Sequence, residues 1–337
     1  MKTLITTMFF TLVIVTQTAF ARSWDKIQIP GAFCGDGQPY YVFVDKENNN
    51  QNLLIELMGG GVCWSKDTCN GVDPHTWLHH IPEVPEFSYM TGDFWGWSNH
   101  PFVNDSALYF PYCTGDVFAA DHTAQYDDTT VIHDGRRVVT LAFAYLQAKK
   151  TLPFKKYKRV TMWGASAGAI GAMIHLKTAE PYFSPNATKL AVIDSAGLHF
   201  GKDFWHKFTP AQLTDFHQTF GAIGLNFSDD DGFVAPLMGP VFTTLSNWKL
   251  AFLQSTEDII MSTVFGDISP EDHKKLVLSD QGLPAIAKSY SNVSTWISDS
   301  SMHTFLLLKA SSYMENTEDQ SAINYVNDFV SKNTPAK

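Results

Sequence analysis

A serine lies at the centre of the pentapeptide Gly164-Ala165-Ser166-Ala167-Gly168. Apolar residues 160–163 precede it and an apolar run over 167–179 follows, which predicts a strand, a tight turn and a helix. A serine in such a turn lies at the helix N-terminus, where the helix dipole favours a developing negative charge. The pattern predicts that Ser166 is a nucleophile for acyl transfer; the alternative is a purely structural turn.

A nucleophilic serine needs a histidine base, which follows the acid along the chain in folds with this turn. His303 comes after the predicted strand 293–298 and a short polar turn, which is where the base is expected. His273 lies in the charged first turn of a predicted helix, so we expect it to be a solvated surface residue. The predicted base is His303.

Two aspartates end predicted strands and are candidates for the acid that orients the base. Asp194 ends strand 189–194, and Asp258 follows strand 249–254 after a few residues. The position of Asp258 is the commoner one for a catalytic acid, whereas Asp194 is a candidate for organising the loop beside the site. Glu257 is adjacent but is expected to face the other way.

The tripeptide Gly59-Gly60-Gly61 ends the predicted strand 53–57. Glycine lets a backbone approach a reacting carbonyl closely in an unusual conformation. An oxyanion needs two or three N–H donors, and these glycines together with the N–H of Ala167 can supply them. The alternative is a flexible turn.

Strands alternate with helices along the chain, which predicts a mostly parallel sheet covered on both faces. The predicted strands are 40–44, 53–57, 107–112, 159–163, 189–194, 249–254 and 293–298, and the predicted helices are 133–147, 167–179, pieces within 270–290 and 318–330. Two aromatic-rich segments, 69–104 and 200–247, interrupt the alternation. They are interpreted as cap-like insertions that wall a pocket or as ordinary loop packing.

The first 21 residues have the pattern of a secretory signal peptide, with Lys2, an apolar run over 4–15 and Ala19-Phe20-Ala21 before the cleavage point. Twelve apolar residues fall short of a membrane span, and no later stretch is longer. We therefore expect an exported chain, secreted or periplasmic, with one domain over 22–337. The 337 residues carry a net charge of −10, which argues against nucleic-acid binding.

Four cysteines, Cys34, Cys63, Cys69 and Cys113, indicate two disulfides in an exported chain, with three pairings open. We predict Cys63–Cys69, which closes a short loop after the oxyanion glycines, and Cys34–Cys113, the pair that then remains. No metal site is expected, because the histidines at 75, 79 and 80 lack the glutamate of a zinc protease.

Several blocks together resemble the pectin acetylesterases and the related carboxylesterase Notum. They are Cys34-Gly35-Asp36-Gly37, Gly59-Gly60-Gly61-Val62-Cys63-Trp64, Cys69, Pro111-Tyr112-Cys113-Thr114-Gly115-Asp116-Val117, the Ser166 pentapeptide and Asp194-Ser195. The resemblance implies a secreted serine esterase on an α/β-hydrolase fold without a cofactor. It places the triad on Ser166, Asp258 and His303, and the oxyanion hole on Gly60, Gly61 and Ala167. The chain departs from the pattern at Leu57-Met58, where the family usually has Leu-Glu.

A second departure concerns the substrate, since Gly61 and Val62 are smaller than the aromatic pair of Notum. Aromatic insertions around Trp95, Trp97 and Phe204 are expected to close the pocket, so we expect short acyl esters, acetyl above all, on an acetylated carbohydrate or small alcohol. The net acidity disfavours free pectate. The alternatives are a lipid-type esterase or lipase, a peptidase, and a non-catalytic binding protein on the same fold.

Overall fold

The computed structural model describes residues 22–46, 51–70, 81, 83 and 100–334. Ten strands form in this part of the chain: β1 Asp25–Phe33, β2 Pro39–Asp45, β3 Asn52–Leu57, β4 Ser106–Phe110, β5 His122–Tyr126, β6 Thr129–His133, β7 Arg159–Ala165, β8 Thr188–Asp194, β9 Lys249–Ser255 and β10 Val293–Ser298. Eight of them form one sheet in the order β1-β2-β4-β3-β7-β8-β9-β10, and β5 and β6 form a separate hairpin. Within the eight-stranded sheet, every pairing along the order β4-β3-β7-β8-β9-β10 is parallel. This confirms the predicted class, a mostly parallel α/β sheet.

Ten α-helices accompany the strands within the described residues. They are α1 Lys66–Asn70, α2 Gly135–Ala148, α3 Ala167–Ile174, α4 Leu176–Ala179, α5 Pro210–Gly221, α6 Met238–Thr244, α7 Pro270–Val277, α8 Leu283–Ala287, α9 Lys309–Ser312 and α10 Ala322–Asn333. Among the residues described, no helix has the length and apolar character needed to cross a membrane.

Side chains alternate between the two faces of the sheet, as the pleat of a strand requires. In β7 the side chain of Met162 packs on one face and that of Trp163 on the other. The first face is covered by α2 and α3, and the second by α10 through Val326 and Phe329. Since both faces are buried, the central strands consist mostly of apolar residues, with a few buried polar ones such as Glu56 and Thr161, which explains why these strands are recognisable in the sequence.

The sequence analysis missed β1 and the hairpin. Strand β1 contains Pro30 and Gly31, and it pairs antiparallel with β2 at the sheet edge with a register shift, a position that tolerates proline. The hairpin turns at Asp127, whose φ of 55° fits a tight two-residue turn. The predicted helix 133–147 consequently begins only at Gly135, because His133 ends β6.

Two helix boundaries also differ from the prediction. The segment 167–179 divides at His175, whose ring nitrogen Nε2 donates to the carbonyl oxygen of Phe118 at 2.8 Å. Helix α10 starts at Ala322 rather than near 318, because the Ser321 side chain caps it by accepting the N–H of Asn324.

The prediction that His273 is a solvated surface residue is wrong. Only 2% of His273 is exposed, and its Nδ1 donates to the carbonyl oxygen of Thr256 at 2.7 Å. Burial lowers the pKa of this imidazole, which therefore stays neutral. The charged residues around it in α7 face solvent, whereas His273 occupies the inward face of the helix.

Some predictions fall outside the described residues. They include the signal peptide, the histidines at 75, 79 and 80, and the aromatic residues at 77, 87, 89, 94, 95 and 97. The two disulfides are described, and the structure pairs Cys34 with Cys113 and Cys63 with Cys69. The first links the start of the β1–β2 connection to the segment after β4, and the second fixes the turn after Gly61.

Arg22, the residue after the predicted cleavage point, is buried in a polar network. Its guanidinium pairs with the carboxylate of Asp45 at 2.8 Å and donates to the carbonyl oxygens of Phe102, Val103 and Asp105. A planar guanidinium can satisfy four acceptors at once, which a lysine cannot. The fold is therefore anchored at the first residue of the expected mature chain.

We predict that Arg22→Met destabilises the protein by about 3 kcal/mol, since removing one partner of a buried ion pair leaves the other charge and its acceptors poorly solvated. The measurement is urea unfolding of chains that begin at residue 22. Lys46→Met is the control, because it removes only the solvent-exposed pair with Asp25 at 3.5 Å. Equal stabilities of the two variants would contradict the anchoring role.

Candidate active site

Ser166 sits between β7 and α3 with φ at 56°, a left-handed conformation that is strained for a non-glycine residue. The flanking glycines allow the close backbone contacts that this turn requires. A Cβ on Gly164 would collide with the carbonyl oxygen of Gly168, and a Cβ on Gly168 would collide with the carbonyl oxygen of Leu57. The two glycines are therefore required by contacts within the turn and with the end of β3. The result is a serine that is 7% exposed at the carboxyl edge of the sheet.

The glycine tripeptide lies directly against this turn. A Cβ on Gly59 would come within 3.2 Å of the Ser166 Cβ and would also meet the carbonyl oxygen of Ala165. Gly61 has φ at 77°, which only glycine adopts without strain. In the described part of the chain, the N–H groups of Gly60 and Gly61 make no hydrogen bond. The N–H of Ala167, in the first turn of α3, has no partner within its helix.

The Tyr112 hydroxyl holds the glycine loop in place. It donates to the carbonyl oxygen of Gly61 at 2.8 Å and accepts the N–H of Val117 at 2.7 Å. Burial, and secondarily the nearby Asp116 carboxylate, raises the pKa of Tyr112, so the hydroxyl keeps its proton and remains a donor. One hydroxyl thus fixes both the peptide after Gly61 and the segment that carries Val117.

Asp116 organises the same segment from inside. Its carboxylate accepts the N–H groups of Phe118 at 3.1 Å and Gly135 at 2.8 Å, and the hydroxyl of Thr114 at 2.6 Å. Burial raises the pKa of Asp116 to about 6, and these hydrogen bonds oppose the rise. The segment turns sharply here, with Val117 and Phe118 both at positive φ.

His303 and Asp258 are joined by a short hydrogen bond. Nδ1 of His303 donates to the Asp258 carboxylate, at 2.8 Å from Oδ2 and 3.1 Å from Oδ1. The carboxylate is 2% exposed and also accepts the N–H groups of Ile260 and Met261, which start a short π-helix over Ile260–Val264. These donors orient the carboxylate, which in turn sets the orientation of the imidazole. Glu257 faces away and pairs with Lys274 at 3.0 Å.

Asp194 does not contact the His303 ring through a hydrogen bond in the described structure. Its carboxylate accepts the N–H groups of Phe305 and Leu306, directly after His303, and its main-chain oxygen accepts the N–H of Ser166 at 2.8 Å. Of the two candidate acids, Asp258 is therefore the one bonded to the histidine. Within the described residues no hydrogen bond joins the Ser166 hydroxyl to His303.

An apolar pocket of about 50 Å³ opens at Ser166. Besides Ser166 itself, Gly61, Val62, Val117, Ala167 and Ile170 are among the pocket's lining residues. The remaining wall is mostly aromatic and consists of Phe200, Phe204, Trp205, Phe208, Phe216, Phe220, Met261 and Phe265. Phe200 and Phe204 stack with their ring centroids 3.9 Å apart. The described part of the segment 200–247 thus forms a pocket wall.

Among the residues that the structure describes, one group of metal-ligating side chains is compact enough to hold an ion, namely Cys63, Cys69 and His133. The two sulfurs are joined in a disulfide, so they are not thiolate ligands. Both ring nitrogens of His133 are engaged, with the Thr114 carbonyl oxygen and the Tyr126 hydroxyl. This donor set does not fit a metal.

A sequence profile of the family described as Pectinacetylesterase matches residues 21–219. The chain belongs to this family. The match includes the Ser166 turn and Asp194 and ends before Asp258 and His303.

Three relatives show how distant the similarity within the family is. The chain is 26% identical to pectin acetylesterase 4 of Arabidopsis thaliana, over 56% of this chain and 49% of that protein. It is 28% identical to pectin acetylesterase 7 of the same plant, over 51% and 44%, and 24% identical to the palmitoleoyl-protein carboxylesterase Notum of Schmidtea mediterranea, over 42% and 27%. The alignments therefore span less than half of each relative. The resemblance to the pectin acetylesterases and Notum is confirmed, together with an α/β-hydrolase-like fold.

Residue-by-residue reading missed the roles of Tyr112 and Asp116. Both lie in the Pro-Tyr-Cys-Thr-Gly-Asp block that carries the family resemblance, but tyrosine has no place in a serine triad, and Asp116 precedes Ser166 whereas the triad acid is expected after it. The available signal was that the block begins at the end of the predicted strand 107–112. The contacts of Tyr112 across 51 residues to Gly61 depend on tertiary structure that spacing does not give.

We predict that Tyr112→Phe destabilises the protein by about 1–3 kcal/mol, because it leaves the Gly61 carbonyl and the Val117 N–H unpaired inside the protein. Urea unfolding measures the loss. Tyr145→Phe is the matched control, since the Tyr145 hydroxyl makes no hydrogen bond with any described residue. Equal midpoints for the two variants would show that the Tyr112 hydroxyl does not hold the loop.

Proposed function

We propose that this chain is an exported serine carboxylesterase that hydrolyses short-chain O-esters, above all acetyl esters, with Ser166, His303 and Asp258 as its triad. The observation that carries the proposal is the 2.8 Å bond from His303 to the buried Asp258, beside a strained serine turn that faces an apolar pocket. Membership of the pectinacetylesterase family supports an ester substrate.

The first half of the reaction follows from the roles of these groups. Nε2 of His303 takes the proton of the Ser166 hydroxyl as Oγ attacks the ester carbonyl carbon. The negative charge that develops on the carbonyl oxygen is stabilised by the N–H groups of Gly60, Gly61 and Ala167. His303 then protonates the departing alcohol, which leaves an acyl group on Ser166.

Water completes the cycle by the same route. His303 removes a proton from water, the resulting hydroxide attacks the acyl carbon, and Ser166 leaves with the proton returned by His303. Asp258 accepts the Nδ1–H throughout and stabilises the imidazolium that forms twice per turnover. Hydrogen bonds between catalytic groups often tighten only when substrate binds, so we expect the bond from the Ser166 hydroxyl to His303 to form in the complex with substrate.

The pocket supports a short acyl group. Its volume of about 50 Å³ is well below the roughly 150 Å³ of a cavity that holds benzene. The stacked rings of Phe200 and Phe204 form part of the pocket wall. A net charge of −10 disfavours a polyanionic alcohol moiety at long range, so we propose a neutral acetylated carbohydrate or small alcohol as the esterified group.

A second candidate is a lipid-type acyl esterase. The observation in its favour is the nearly continuous aromatic lining, which suits an alkyl chain, and one relative is named as a palmitoleoyl-protein carboxylesterase. The small pocket volume argues against a lipid-type esterase.

Export is supported by the signal-peptide pattern and by two buried disulfides, which persist in oxidising compartments. We also propose that residues 22–337 form one hydrolase domain.

Ser166→Ala and His303→Ala are each expected to remove nearly all hydrolysis of p-nitrophenyl acetate. Because triad members act as a unit, the double variant should be little worse than either single one. Asp258→Asn should cost less than the loss of the serine, since the acid orients the histidine and stabilises its charge. The measurement is kcat/KM at neutral pH together with a thermal unfolding midpoint. Full activity in a folded Ser166→Ala variant would refute the esterase and leave a binding protein.

The acyl preference is tested with p-nitrophenyl acetate, butyrate, octanoate and palmitate. We expect kcat/KM to peak at acetate or butyrate, although each methylene that the pocket could bury is worth about 0.8 kcal/mol. Phe204→Ala removes one ring of the stacked pair and should shift the peak to a longer chain. Phe33→Ala is the control, because this exposed side chain does not line the pocket. A wild-type peak at octanoate or longer favours the lipid-type esterase.

A further inference from the structure

Asp194 is a buried carboxylate that the proposed mechanism does not use. It ends β8, which pairs in parallel with β7, so its main-chain oxygen lies beside the serine turn and accepts the N–H of Ser166. It is fully buried. An ionisable side chain is costly to bury without partners, so the partners of Asp194 indicate what its carboxylate holds.

Those partners are the backbone that follows His303. The carboxylate accepts the N–H of Phe305 at 3.0 Å from both oxygens and the N–H of Leu306 at 2.8 Å. The next residue, Ser195, accepts the N–H of Thr304 on its hydroxyl at 3.1 Å, and that hydroxyl donates to Asp194 at 3.3 Å. Three consecutive N–H groups after the base thus converge on two residues, an arrangement of backbone that favours an anion.

The backbone conformation follows from this convergence. Thr304 has φ at 64°, a left-handed conformation at the point where its own N–H meets the Ser195 hydroxyl and the next two N–H groups meet the carboxylate. Ser195 has φ at 62°, and its own N–H donates to the carbonyl oxygen of Leu253 in β9, the strand that leads to Asp258. The dipeptide Asp194-Ser195 therefore contacts the serine turn, the histidine loop and the acid-bearing strand.

We infer that Asp194 is a positioning residue for the esterase reaction, in which it holds the His303 loop against the Ser166 turn so that Nε2 can reach the serine hydroxyl. The inference rests on the proposed function. It separates the two acids by role: Asp258 acts on the imidazole, and Asp194 acts on the backbone that carries it.

The role requires a carboxylate. Two oxygens can accept the Phe305 and Leu306 N–H groups and the Ser195 hydroxyl together, and hydrogen bonds to an ionised acceptor are stronger than neutral ones. Desolvation raises the pKa of Asp194 to about 6, and the hydrogen bonds from Leu306 and Phe305 oppose this rise. A carboxyl group with that pKa is ionised at neutral pH. An asparagine would direct its NH₂ group at one of the backbone donors.

The test compares Asp194→Asn with Ser195→Ala, which removes only the acceptor for Thr304, and with Asp134→Asn. Asp134 is the matched control, because it is also a buried aspartate whose pKa burial raises to about 6, and it accepts the N–H of Phe33 away from the site. Misplacement of a reacting group by about 1 Å costs roughly 10²-fold. We expect kcat for p-nitrophenyl acetate to fall about 10–100-fold in Asp194→Asn and about 3–10-fold in Ser195→Ala, with KM within about threefold of the wild type. The kcat of Asp134→Asn should stay within about twofold.

A purely structural role predicts a different pattern. All three variants would then lose thermal stability while the folded fraction kept its kcat. A folded Asp194→Asn variant with kcat within about twofold of the wild type overturns the inference, and an unchanged kcat in Ser195→Ala does so if Asp194→Asn fails to fold. Retained activity in Ser166→Ala would instead refute the proposed function, so the two failures are distinguishable.

Discussion

The left-handed backbone at Ser166 is the constraint on which the rest of the site depends. A residue with a Cβ stays at φ 56° only where the surrounding structure forces this conformation on it. Here three glycines allow the surrounding backbone to come close enough to do so. Gly164 and Gly168 let the turn close on itself, and Gly59 lets the end of β3 lie against it. The same close approach brings the glycine loop near the serine. A Cβ at Gly59 or Gly168 would push the end of β3 and the Ser166 turn apart.

Parallel strands then bring together residues that are far apart in sequence. The carboxyl ends of β7, β8, β9 and β10 lie side by side, and they lead to Ser166, Asp194, Asp258 and His303 respectively. This is the usual consequence of the topology, since loops after neighbouring parallel strands meet at one edge. Side-chain hydrogen bonds at this edge also fix the orientation of the residues. The buried Asp258 orients the His303 imidazole, and Tyr112 fixes the glycine loop.

Sequence patterns predicted the central strands well, because both faces of the sheet are covered and the strands are mostly apolar. Positions relative to those strands also led to the predictions that Ser166 is the nucleophile and His303 the base, and both stay predictions. In the structure His303 is bonded to Asp258, the commoner of the two acid positions. Edge elements were missed where local signals conflict, as in β1 with its Pro30 and Gly31. His273 was misjudged because its neighbours are charged, although the helix turns that one residue inward. The role of Tyr112 could not be predicted, because a hydroxyl that bridges two loops leaves no periodic trace in the sequence.

The central claim is that Ser166 carries the acyl group during turnover. Its most direct test is mass spectrometry of the protein quenched with acid during the hydrolysis of p-nitrophenyl acetate. The account predicts an added mass of one acetyl group, located on the peptide that contains Ser166 and absent from Ser166→Ala. Steady hydrolysis with no acylated Ser166 peptide, or with the acetyl group on another residue that the Ser166→Ala variant retains, would contradict it.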